Sequence, residues 1–334
     1  QGADASLAYR SSDYSRTGRV ESWKIGLNVQ AFEDLRLRLT RSRDVREPNF
    51  TELYNNRGGQ GGNPLDPITG SSYLVTVRAG GNPDLKPEIG NTIVAGFVYQ
   101  PSWFDGAQWS VDWYDVEIDD AVSSLGVQRI VDGCYLLGDT GLCSAIERDP
   151  VTGEIVKIEN GYLNVAQAKV EGIDTEFAYR AEPNFLGDLD ESLTLRMLAG
   201  YLLERSNTPL DGVPADTVGG VGTPKWTANL TAGYRFGDYG VQLQHRYITN
   251  TKININWVEG VDVDDNSVAS GNYTNLRLSK QGEFGNGGTW DLSFNVTNLF
   301  DRPPPIVAGA TSQSIPGTYD QFGRRYQLSY DVSF

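Results

Sequence analysis

Long hydrophobic runs are missing from this chain. No stretch approaches the eighteen or so consecutive apolar residues that a membrane-crossing helix needs, and the mean hydropathy is -0.38, which excludes a bundle of transmembrane helices. Histidine and methionine occur once each. The lone imidazole, His245, cannot build a multi-histidine metal centre, and no Cys-x-x-Cys spacing accompanies it. It interrupts the apolar phase of its segment, and an interfacial or locally shielded position is expected for it rather than a catalytic one. Basic residues are scarce, with 28 Lys plus Arg against 43 Asp plus Glu and a formal charge of -15. A nucleic-acid partner is thereby excluded, because phosphate backbones are bound through a basic footprint. There is no Gly-x-Ser-x-Gly, and the single histidine supports no Ser/His/Asp arrangement, so no enzyme is expected. The sequence implies no cofactor and no metal. GGQGG at 58–62 is a flexible loop, since no strand precedes it and no helix follows it to form a phosphate cradle.

Cysteine is limited to Cys134 and Cys143, which close a short polar loop, CYLLGDTGLC. Two cysteines so placed predict a disulfide and an oxidising compartment. The acidic run VDVDDNS at 261–267 lacks the spacing and glycine of an EF-hand, and reads as a solvated loop.

Abundant aromatics (17 Tyr, 12 Phe, 7 Trp) and 38 Gly point to an all-β protein. The pattern is a period of two. Trp290, Leu292, Phe294 and Val296 alternate with Asp291, Ser293, Asn295 and Thr297. Tyr326, Leu328, Tyr330, Val332 and Phe334 alternate likewise with polar residues. Trp226, Ala228, Leu230, Ala232, Tyr234 and Phe236 do so without a fault. Such segments are strands with one apolar and one polar face, of about the length that crosses a bilayer at a tilt. About twelve recur, with a bulge expected around Lys169 to Gly172, where the phase changes.

The connections alternate between short (Phe32 to Asp34, Pro101 to Gly106, Ala181 to Glu191, Gly237-Asp238, Gly282 to Gly287) and long (Ser42 to Glu88, Asp119 to Tyr162, Arg205 to Thr223, Thr251 to Ser270, Asp301 to Gln321). The long ones read as polar loops, with an extended piece at Tyr73 to Val77 and a short helix near Val127 to Val131. Strict alternation puts every long loop at one end of an up-and-down sheet, the asymmetry of an outer-membrane barrel. Trp23, Tyr99, Trp109, Tyr179, Trp226, Phe236, Tyr239, Trp290 and Phe334 lie near strand ends, where interfacial girdles require them. Arg36, Arg38, Asp112, Gln242, Gln244, Asn295 and Asp331 lie on the opposite face, which therefore needs water or a polar filling.

Several stretches resemble the TonB-dependent receptors of Gram-negative outer membranes. SRDVREPNFTELY (Ser42 to Tyr54) is similar to that family's Arg-x-x-x-x-Pro-x-x-x-Glu-Leu segment, and GGNPDLKPE (Gly80 to Glu88) to its Asn-Pro-x-Leu-Lys-Pro-Glu segment. VEGIDTEF (Val170 to Phe177) is similar to its Gly-x-(Glu/Asp)-x-Glu strand, and NVTNLFD (Asn295 to Asp301) with Phe334 to its C-terminal signature. In this order over most of the chain the pieces are specific. The resemblance implies an antiparallel up-and-down transmembrane β-barrel of twenty-two strands, with short periplasmic turns, long extracellular loops and an N-terminal plug.

About twelve strands are found, so residues 1–334 are expected to be the C-terminal part of such a barrel. The plug domain and N-terminal strands are expected to be absent from this chain. Because the chain opens at Gln1 inside an alternating segment, a fragment or processed product is expected. The implied function is binding and import of a scarce nutrient, such as a siderophore or carbohydrate, across the cell outer membrane with energy from the TonB system. A passive porin-like channel is the alternative. Implied partners are the small-molecule nutrient, TonB through the plug region, the barrel-assembly machinery, and outer-membrane lipid with lipopolysaccharide. Loop residues Tyr54, Asn55, Asn56, Arg57, Tyr73, Trp257 and Tyr319 are the expected ligand contacts, since aromatic platforms and amide or guanidinium donors suit sugars or metal chelates. Phe334 is the expected assembly signal.

Overall fold

The computed structural model describes residues 2–55, 59–164, 167–187, 189–208, 215–285, 287–307, 314–315 and 317–334. Twelve long strands form one antiparallel sheet in sequence order. They are β1 (Ala3–Tyr14), β2 (Gly18–Phe32), β3 (Leu35–Arg46), β4 (Glu88–Tyr99), β5 (Ala107–Asp119), β6 (Gln167–Ala181), β7 (Glu191–Thr208), β8 (Trp226–Phe236), β9 (Tyr239–Ile248), β10 (Gly271–Glu283), β11 (Thr289–Thr297) and β12 (Arg325–Ser333). Each pairs with its sequence neighbours, and β1 and β12 have one long partner each. The expected strand count and order are thus met. All five long connections lie at one end, together with the link at residues 15–17 between β1 and β2.

The register explains why alternation of this length specifies one arrangement. Tyr179, Leu195, Ala232, Leu243, Leu276, Val296 and Tyr326 stand directly opposite one another from β6 to β12 and make a continuous apolar row. A slip of one residue in any strand would turn its whole apolar set to the other face. This apolar face is the uncovered one: Leu27, Leu37, Leu230, Leu243 and Leu278 are all exposed. The buried apolar clusters lie instead in the long connections and, through Ile248 and Tyr273, at the strand ends that meet them. A soluble barrel would show the reverse, with its greasy face packed in a dry centre.

Aromatic residues bracket that face. Trp226 and Phe236 begin and end the outward row of β8. Ten residues at about 3.3 Å each and a tilt near 40° place them roughly 25 Å apart along the barrel axis, the height of an outer-membrane apolar band. At the short-turn end, Trp103, Phe104 and Tyr179 stack, as do Tyr234, Phe236 and Tyr239. His245 lies on the same outward face between Leu230 and Thr274, with Nδ1 2.9 Å from the Thr274 hydroxyl. The threonine shields an imidazole that has no place among leucines. Among the described residues, no helix is long and apolar enough to cross a membrane.

On the inner face, Arg38 of β3 and Asp112 of β5 form a bidentate pair across the intervening β4. Gly96 lies between them, and a Cβ there would fall 2.2 Å from Asp112 Oδ1 and 2.5 Å from the Val111 carbonyl. In β6, the expected irregularity is a register shift between Glu171 and Gly172. The Tyr114 ring occupies the space above Gly172, where a Cβ would lie 2.4 Å from its hydroxyl oxygen.

Candidate functional site

The mouth of the sheet is built in three parts, two from the long connections and one from the inner wall beneath them. The first is a rim clasp. Asn49 caps α1 (Phe50–Tyr54) in a reciprocal capping box, its side chain accepting from Glu52 N–H while Glu52 accepts from Asn49 N–H. Arg46, at the end of β3, pairs with both Glu52 and Glu88. Glu88 also accepts from Val122 N–H (2.6 Å), which ties in the next long connection. Asn82 N–H donates to the Glu52 carbonyl (2.8 Å), and Leu53 and Leu85 are buried. The family-like segments 42–54 and 80–88 are therefore two halves of one joint. Arg16, in the β1–β2 link, donates to the Pro83 carbonyl (2.8 Å) and to that of Leu85.

The second part is a packed lobe. Short strands Gln60–Gly62, Val75–Arg78, Ile155–Glu159 and Ile146–Arg148 pair in a small mixed sheet, with Val75–Arg78 parallel to Ile155–Glu159. Helix α2 (Val127–Tyr135) packs on it through Ile130 and Val131, against Val75, Val77, Ile155 and Ile158. The Cys134–Cys143 disulfide joins α2 to α3 (Thr140–Cys143), as expected from the spacing. Arg148 donates to both Asp66 oxygens at 2.7 Å and to the Tyr135 hydroxyl at 2.7 Å. The Tyr73 hydroxyl donates to Asp66 (2.6 Å) and accepts from Ile155 N–H (2.8 Å). The Arg148 guanidinium holds the wholly buried Asp66 carboxyl well below the usual carboxylate range, helped by Tyr73 and Ile68 N–H. Burial and the neighbouring carboxylate push the Tyr73 phenol up.

The third part is a cavity of about 420 Å³ between the inner wall and the connection that follows β11. Asn229, Gln244, Arg246, Tyr273, Tyr319 and Arg325 line it. Tyr273 and Tyr319 are buried with Ile248, Val268 and Val307, so one face of each ring belongs to a packed cluster. Arg325 pairs with Asp320 at 3.3 Å. Arg246 makes no hydrogen bond or ion pair among the described residues, and its guanidinium is available to a guest. Arginine and amide donors beside phenol rings suit an oxygen-rich solute.

The seven expected contact residues separate on inspection. Tyr54 packs against Phe50 in a tilted pair (5.3 Å between centroids), and both rings are exposed at the mouth. Asn55 spends its backbone groups on the clasp, its N–H on the Thr51 carbonyl and its carbonyl on Gly81 N–H. Asn56 and Arg57 lie outside the described residues. Tyr73 is a strut of the lobe, Trp257 is an exposed indole in the β9–β10 loop, and Tyr319 lines the cavity. Among the described residues, no hydrogen bond, ion pair or ring contact joins Tyr54, Tyr73, Trp257 and Tyr319. The acidic run is locally bonded: Asp265 caps Ser267, and buried Asn266 donates to the Asn254 and Trp257 carbonyls. No cluster of metal-ligating side chains exists among the described residues. Asn229, Gln244, Arg246 and Tyr273 lie on the inward phase of β8, β9 and β10, and that phase was the signal that could have found them.

The family model "TonB dependent receptor-like, beta-barrel" matches residues 3–299. The siderophore receptor PirA from Acinetobacter baumannii superposes with a TM-score of 0.65 at 19% identity, over 99% of this chain and 43% of that one. The ferric enterobactin receptor PfeA from Pseudomonas aeruginosa, in complex with enterobactin, gives 0.69 at 17% identity, over 99% and 43%. The copper transporter OprC gives 0.56 at 16%, over 95% and 39%. No curated protein matches the chain significantly. The chain spans about two fifths of the length of these solved structures. The matched family is one of receptors and transporters rather than enzymes. The twelve-strand wall, the joined fingerprint segments and the family match agree: this chain belongs to the TonB-dependent receptors.

Proposed function

We propose that the protein serves nutrient uptake across the outer membrane of a Gram-negative bacterium, with substrate captured at the loop-built mouth and moved inward at the expense of TonB-transmitted energy. One observation carries this reading: behind an apolar outer wall lies a polar inner wall whose upper end is roofed by packed loops over an arginine-bearing cavity. The neighbours' printed ligands, enterobactin for PfeA and copper for OprC, support metal-linked cargo as the class to try first. The chemistry is binding and conformational gating, with no bond made or broken.

Arg246, Asn229, Gln244 and Tyr319 are the proposed inner contacts, and Tyr54, Asn55 and Trp257 the outer ones; Asn56 and Arg57 remain proposed contacts beside them. Tyr73 acts behind the surface by holding the lobe. A plug within the lumen, TonB beneath it, outer-membrane lipid with lipopolysaccharide around the wall and the barrel-assembly machinery are the proposed partners. The test is uptake of radiolabelled ferric chelates by a deletion strain complemented with the full-length gene. Energy-coupled transport predicts uptake that stops with a protonophore and with Arg246→Gln falls at limiting ligand. Uptake indifferent to the protonophore would establish passive diffusion instead.

A further inference from the structure

Arginine does not belong on a lipid-facing wall. The penalty is greatest at the bilayer midplane and nearly vanishes at the interfaces. Yet β3 turns two consecutive outward positions to arginine: Leu35, Leu37 and Leu39 are followed on the same face by Arg41 and Arg43. Arg41 stands opposite Ile25, and Arg43 opposite Trp23, which is itself opposite Tyr9. Both arginines are exposed and make no hydrogen bond or ion pair among the described residues. By contrast, the inward arginines on the same strand, Arg36 and Arg38, are engaged, with Gln30 and Asp112.

Their height is set by the strand. Eight residues separate Leu35 from Arg43, roughly 26 Å along the strand and about 20 Å along the axis at a 40° tilt. That is the upper edge of the apolar band, where Tyr9 and Trp23 mark the long-loop interface. Arg41 lies one step below, within reach of the same level along its aliphatic stem. One row further out stand Glu21, which lies against the Tyr9 hydroxyl, and then Arg19. The carboxylates of Asp115 and Glu117 lie in the same rows beyond Ile93 and Asn91, with Lys169 3.9 Å from Asp115.

We infer that Arg41 and Arg43 bind the phosphate of an outer-leaflet lipid headgroup, with Trp23 and Tyr9 packed against the top of its acyl chains. The planar guanidinium fork matches phosphate oxygens, and two forks one step apart on one strand face bracket a single headgroup. This rests on the outer-membrane reading but is independent of what is transported.

The test uses the full-length receptor purified in non-ionic detergent, titrated with bisphosphorylated lipid A and, separately, with the same lipid freed of phosphate. The double variant Arg41→Gln/Arg43→Gln should bind the phosphorylated lipid about thirtyfold more weakly. Its affinity for the phosphate-free lipid should not change. Arg41→Lys/Arg43→Lys should retain most of the phosphate-dependent binding, and Arg235→Gln, on the inner wall, should retain all of it. Equal affinity of wild type and the glutamine variant for the phosphorylated lipid would overturn the assignment, as would a parallel loss with both lipids. Outer-membrane fractionation of the wild type separates the two readings: a protein found in the membrane without phosphate-dependent binding removes only the arginine site.

Discussion

Arg148 and Asp66, eighty-two positions apart, meet in a bidentate ion pair that fastens the second long loop to the first. Asp66 is fully buried with both carboxylate oxygens bonded, while the Arg148 side chain keeps 19% of its surface exposed. Removing one partner strands the other: Asp66→Asn or Arg148→Met should destabilise the lobe by about 3 to 5 kcal/mol. Hydrogen-exchange protection at Val131 and Ile155 reports it.

The same pair fixes the response to acid. Because the folded carboxyl is depressed below its unfolded value near 3.9, its stabilisation is complete above that value and is lost as pH falls through the folded one. Protection factors in the lobe should therefore hold from pH 7 down to about 5 and fall only in strongly acidic buffer. Loss of protection between pH 7 and 5 would contradict the network.

Leu230 and Asn229 are neighbours on opposite faces, one in the outer apolar band and one in the cavity wall. Leu230→Arg should cost roughly 2 to 4 kcal/mol and lower the temperature at which heat-modifiable gel mobility is lost. Asn229→Arg should leave that temperature unchanged. Equal effects would reverse the assigned facing.

Gly96→Ala should separate Arg38 from Asp112, since the new methyl group has no space between the Asp112 carboxylate and the Val111 carbonyl. The expected cost is about 1 to 3 kcal/mol, measured by urea unfolding in lipid.

Cys134→Ser/Cys143→Ser opens a loop whose ends are nine positions apart. Loop-closure entropy gives a loss of roughly 2 to 3 kcal/mol, confined to α2 and α3. Barrel mobility on gels should not change. Deleting Phe334, which stacks on Phe284 at 6.4 Å, should slow membrane assembly in cells, measured as the unfolded fraction by the same gels.

The wall was legible because each strand carries its own address: alternation in β8 runs from Trp226 to Phe236 with no exception, and the phase change near Gly172 marks a bulge, while a second register shift between Gln30 and Phe32 went unread. The lobe was not. Its strands are three to five residues long, too short for a period, and Val75–Arg78 finds Ile155–Glu159 across some eighty residues of chain. No local signal encodes a pairing of that separation. Tyr73 shows the cost: in a polar stretch it reads as a ligand platform, and only its distant partners Asp66 and Ile155 make it a strut. Tyr319 is intermediate, packed on one side and facing the cavity on the other.

Among the described residues, the outer margins of β1 and β12 each present a ladder of amide and carbonyl groups without a long-strand neighbour. Hydrocarbon offers nothing to bond them, so every unmatched group there carries a cost of several kcal/mol. These two seams act as adhesive strips: in a bilayer they will zip to whatever extended backbone reaches them first. Supplied alone, twelve such strands are therefore expected to join head to tail with other copies, and the correct neighbour must arrive before a stray one does.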